Sequence, residues 1–161
     1  MRANTETSMI RRVVRTAAAA LLTLGAFSAQ ACSDALGPDD FAGTYQLERY
    51  EGMTLPAVQA RVGVRTFLIV SQRVVLGDNR RGVILTTSRT LNDGAPEGPD
   101  VSISSEVGFV VRDGHVEVTI VCPPNAGCIA GPHYVGGRVA GGLALAWPAS
   151  SKPASIYKRI D

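Results

Sequence analysis

Thiols and imidazoles are the groups in this sequence with the widest chemical reach. There are three cysteines, Cys32, Cys122 and Cys128, and two histidines, His115 and His133. A thiol can accept a lipid, close a disulfide or hold a metal as thiolate. Cys122 and Cys128 bracket Pro123-Pro124-Asn125-Ala126-Gly127, a turn-forming stretch that brings its two ends together. The spacing argues against zinc, which is held by Cys-x-x-Cys pairs or their Cys/His equivalents. His115 follows the tight-turn dipeptide Asp113-Gly114, and His133 follows Pro132 in a loop. Both are expected to be solvated rather than to meet a carboxylate such as Glu117 or Asp113. No metal site is expected.

Other catalytic signatures are missing. The chain has no Gly-x-Ser-x-Gly elbow, phosphate loop or His-Glu-x-x-His helix. Gly136-Gly137-Arg138-Val139-Ala140-Gly141-Gly142 is rich in glycine, but it lies between strand-like segments. A phosphate cradle needs a helix N-terminus behind it. Bends and a tight turn are the expectation there, with no enzyme activity and no cofactor.

Cys32 has a distinctive setting. Arg11, Arg12 and Arg15 precede an apolar run from Ala17 to Phe27, and Ala29 and Ala31 precede the cysteine. A basic start, an apolar stretch of about 7–15 residues and small residues before a cut make a secretory signal. The run is shorter than the roughly 20 residues of a membrane span. With Cys32 at its end, the segment resembles the signals of bacterial lipoprotein precursors, in which a small-residue box precedes a lipidated cysteine. That resemblance implies a lipid anchor on Cys32 and, with Ser33 following, passage to the outer membrane, facing the periplasm or the cell surface. Ala29 stands where that family usually has leucine, so ordinary cleavage after Ala31, giving a soluble periplasmic or secreted protein, is the alternative.

Three segments follow: a signal over 1–31, expected as a helix, a lipidated tether over 32–40 and a domain over 41–161. Losing the signal removes four of the 16 basic residues and one of the 14 acidic ones, so the remaining 130 residues carry a net charge of −1. The basic character of the whole chain belongs to the signal, and no electrostatic footprint for nucleic acid remains. In an oxidising compartment Cys122 and Cys128 are expected to pair. The loop would span 7 residues and constrain the unfolded chain by roughly 2.4 kcal/mol.

After residue 40 the pattern is alternation with period two, broken by Gly, Pro, Asn and Asp, which reads as strands. Val101, Ile103, Ser105, Val107, Phe109 and Val111 share one face, and Asp113-Gly114 suits a two-residue type I′ turn. The return strand then sets Val111 against Val116, Phe109 against Val118 and Val107 against Ile120. Further strands are expected over Gly43–Tyr50, Arg65–Leu76, Gly82–Leu91, Tyr134–Val139, Leu143–Trp147 and Ser155–Ile160. A three-residue loop at Ala140-Gly141-Gly142 is expected to put Val135 and Val139 on the face of Leu143, Leu145 and Trp147. Eight strands with short connections predict an all-β, up-and-down antiparallel barrel of about eight strands, with a β-sandwich as the alternative.

Phe41-Ala42-Gly43-Thr44-Tyr45-Gln46-Leu47 is similar to the opening strand of lipocalin-like barrels, which carries glycine, one residue, then an aromatic. Tyr50-Glu51-Gly52-Met53-Thr54-Leu55-Pro56 resembles the strand, glycine turn and Leu-Pro opening of small bacterial lipocalin-like lipoproteins. The resemblance implies a barrel open at one end, with Lys158 or Arg159 packed on Tyr45. Its expected ligand-lining set is Tyr45, Leu47, Val107, Phe109, Val111, Val116, Val118 and Ile120, with Arg49 and Ser105 as inward polar groups. The functional expectation is an anchored, non-catalytic envelope protein binding a small apolar ligand in the barrel. The alternative is a filled barrel acting as a structural or protein-interaction module with an envelope partner.

Overall fold

The computed structural model describes residues 36–122 and 133–161. One helical turn, α1 (Pro38–Phe41), opens the described chain, and everything after it is strand or turn. The strands are β1 (Gly43–Tyr50), β2 (Met53–Thr54), β3 (Ala57–Val62), β4 (Arg65–Leu76), β5 (Arg81–Asn92), β6 (Ala95–Pro96), β7 (Val101–Arg112), β8 (His115–Ile120), β9 (His133–Val139), β10 (Gly142–Ala146) and β11 (Ser155–Arg159). Strands β1, β11, β10, β9, β8, β7, β5 and β4 pair in that order, all antiparallel, and β1 pairs back onto β4. The result is a closed eight-stranded barrel, as the alternation predicts. Closure leaves these eight strands without a free sheet edge along their shared length. The short strands β2, β3 and β6 extend the sheet beyond one rim.

The β7–β8 hairpin has the predicted register. Asp113 and Gly114 both take positive φ, 51° and 75°, and Arg112 lies opposite His115, Val111 opposite Val116, Phe109 opposite Val118 and Val107 opposite Ile120. The β9–β10 hairpin differs from expectation. Val139 pairs with Gly142, so the turn holds two residues, Ala140 and Gly141, rather than three. A slip of one residue turns every side chain over. Val135 and Val139 therefore lie on the other face, and Gly136 and Arg138 pair with Leu145 and Leu143. Gly136 is the physical reason. A Cβ there would stand 1.8 Å from the Ala144 carbonyl oxygen, so the wall closes in this register only around glycine.

The core runs through the barrel from the α1 end, where Phe41 lies, to Ile69 and Leu145 toward the opposite rim. Phe41, Tyr45, Leu47, Val74, Leu76, Ile84, Val107, Phe109, Val116, Val118, Leu143, Leu145 and Tyr157 are all buried in one cluster. Phe41 seals that end, and the Tyr45 hydroxyl donates to its carbonyl at 2.9 Å. Residues 38–40, expected in the tether, form the turn that delivers this plug. At the same end the Thr44 amide donates to Asp161 Oδ2 at 2.7 Å, and the Ile160 amide donates to the Thr44 carbonyl at 2.9 Å.

Candidate functional site

The predicted ligand-lining residues are found within the core. Tyr45, Leu47, Val107, Phe109, Val116 and Val118 are at most 3% exposed. Val111 and Ile120 pack half-buried against the same cluster. Arg49 is exposed. The register of β1 on β11 shifts between Leu47 and Arg49, and this bulge swings Arg49 outward and Tyr50 onto the core side. Ser105 is half-buried. The inward polar groups missed by the sequence reading are Gln72 and Thr86. The Tyr157 hydroxyl donates to Gln72 Oε1 at 2.6 Å, and Gln72 Nε2 donates to Thr86 Oγ1 at 2.7 Å. These side chains link β11, β4 and β5 inside the barrel.

At the plugged end, Arg159 lies opposite Tyr45 in the β1–β11 register. Its guanidinium reaches to 3.1 Å of where a Gly43 side chain would begin. Burial pushes the Tyr45 phenol upward, and Arg159 partly offsets that rise. Lys158, the other expected partner, is exposed and pairs with Gln46 and Gly142 in the sheet.

Of the predicted thiols, Cys32 and Cys128 lie outside the described residues. Cys122 is half-buried just after β8 and is a free cysteine among the described residues. His115 is exposed at the β7–β8 turn. His133 begins β9 opposite Thr119, rather than lying in a loop. Among the described residues no three of His, Cys, Asp and Glu converge as a metal-binding group.

The opposite end of the barrel carries a cleft of about 180 Å³ that the sequence reading did not anticipate. Tyr50 ends β1, Tyr134 lies near the start of β9, and Trp147 directly follows β10. In an up-and-down meander those three positions meet at one rim. Tyr134 and Trp147 pack edge to face, with ring centroids 5.8 Å apart and planes at 86°. Leu145, buried, also lines the cleft.

Glu51 adds a charge to this aromatic wall. It occupies the first position of the two-residue β1–β2 turn with φ of 49°, followed by Gly52 at 83°. Such a turn suits Asn, Asp or Gly, and a strained backbone position of this kind costs about 1–3 kcal/mol. The Glu51 side chain is 18% exposed and pairs with Lys152 Nζ at 2.5 Å. Lys152 reaches it from the β10–β11 loop. Its amide donates to Ser150 Oγ, and the Ser150 amide donates to the Trp147 carbonyl. Burial, then the Glu51 carboxylate, push the Tyr50 phenol up to about 12. Burial and the same carboxylate raise Tyr134.

No protein-family model matches this chain, and no curated protein or solved structure matches it either.

Proposed function

We propose that the chain is a non-catalytic, exported cell-envelope protein, anchored by a lipid on Cys32, whose filled barrel is a scaffold that presents its rim and loops for recognition. One observation carries the choice of scaffold over container: six of the eight residues expected to line a ligand chamber are packed against one another at 3% exposure or less. An apolar ligand among them must displace side chains from a close-packed interior. The export and anchoring part of the reading rests on the basic, apolar and small-residue segments that precede Cys32.

The scaffold reading is tested by titrating a fluorescent fatty-acid probe into a soluble chain starting at Ser33. The expected result is no saturable binding; stoichiometric binding would show a chamber instead. For the anchor, cells expressing the full chain are fed labelled palmitate. Label is expected on the full chain and absent from Cys32→Ala, and label retained in that variant would remove the anchor from this cysteine.

A further inference from the structure

We propose that the cleft walled by Tyr50, Tyr134 and Trp147 binds a small organic cation, a primary or quaternary ammonium, whose charge is taken by Glu51 and whose place Lys152 holds in its absence. The proposal stands on the geometry of the rim and is independent of whether the chain is exported or lipidated.

Aromatic faces attract an ammonium through their negative quadrupole, and cages of two or three rings are a recurrent way to hold one. Here Tyr50, Tyr134 and Trp147 line one cleft with the mostly buried Glu51 carboxylate, and the chain's own ammonium, Lys152 Nζ, already sits on that carboxylate. Lys152 therefore acts as an internal stand-in showing which chemistry the cleft satisfies. Its side chain is 56% exposed and arrives on a loop, so it can withdraw to solvent without disturbing a strand.

The exchange is selective by charge. When a neutral guest displaces Lys152, the mostly buried Glu51 carboxylate keeps its hydrogen bond with Tyr50 but loses its cation, which is unfavourable. An anion would meet that carboxylate directly. Another ammonium restores the pair and can add contacts with the rings that line the cleft. The volume of about 180 Å³ admits a head group of several heavy atoms. Leu145 supplies an apolar surface for methyl groups on the nitrogen.

Trp147 is the chain's single tryptophan, so intrinsic fluorescence reports on the cleft without a label. The full chain in a non-ionic detergent is titrated with choline chloride, against sodium chloride at equal ionic strength and against 3,3-dimethylbutan-1-ol, the uncharged isostere of choline. Choline is expected to give a saturable change, and the isostere none over the same range. Lys152→Ala should tighten choline binding about two- to fivefold, the scale of removing a competing ion pair whose cation is more than half exposed. Glu51→Gln should weaken it at least tenfold. Equal responses to choline and the isostere would overturn the proposal, as would an unchanged affinity in a folded Glu51→Gln variant. If Glu51→Gln does not fold, the comparison of choline with its isostere on Lys152→Ala decides the matter alone.

Discussion

All four tyrosines of this chain hold their phenolic protons more tightly than a free side chain does. Burial is the largest cause at Tyr45, Tyr50, Tyr134 and Tyr157. A phenol whose folded pKa lies above the unfolded value of about 10 stabilises the fold fully below pH 10. That contribution drains away as pH rises through the folded value, about 12 at Tyr50. Absorbance at 295 nm should therefore show no native tyrosine ionising at its ordinary pH, followed by a steep rise in which ionisation and loss of β-sheet dichroism coincide. A gradual transition near pH 10 with the sheet intact would place the phenols in solvent. At the centre of the core, Phe109→Ala should lower unfolding stability by about 3–5 kcal/mol in urea titration, since Phe109 is 3% exposed among well-packed neighbours.

At the scale of elements, close approach of backbones matters as much as side-chain packing. Gly142 resembles Gly136 in this: a Cβ at Gly142 would stand 1.9 Å from the Tyr157 carbonyl oxygen. Gly136→Ala is expected to cost about 3 kcal/mol or more, because backbone must move apart. Gly63→Ala is the contrast. Its Cβ meets nothing within 4 Å, but its φ of 59° strains any side chain, so a loss of only about 1 kcal/mol is expected there. Thermal melts of the two variants separate the causes. The hairpin over β7 and β8 was legible because Asp113-Gly114 fixes its turn and every apolar residue then finds an apolar partner. The β9–β10 register was not legible, since three successive small residues, Ala140, Gly141 and Gly142, permit either loop length. Strand β3 escaped notice because it lies along the outlying part of β4 and is largely exposed. The bulge before Arg49 left no pattern in the sequence, yet it decides that Tyr50 rather than Arg49 serves the rim.

On the scale of the whole molecule, the β1–β4 and β1–β11 ladders close the barrel, and three further hydrogen bonds tie down its last residues. The Arg159 amide donates to the Gly141 carbonyl, the Ile160 amide to that of Thr44, and the Thr44 amide to the Asp161 carboxylate. Deleting residues 159–161 should lower stability by about 3 kcal/mol, at about 1 kcal/mol for each net hydrogen bond, read as a shift in the urea midpoint with the slope unchanged. Barrel type was readable from strand count and spacing. Whether it was hollow was not, because alternation places a side chain inside without stating what volume remains. The cleft was illegible for a related reason: Tyr50, Glu51, Tyr134, Trp147 and Lys152 are scattered over a hundred positions, and only the meander makes them neighbours.

The Phe41 plug and the Asp161 clasp share one end of the barrel, and the aromatic rim lies at the other. A tag or partner fused directly before Leu36 or after Asp161 therefore attaches on the far side from the cleft. Immobilising the protein through Asp161 should then leave Tyr50, Tyr134 and Trp147 facing free solution.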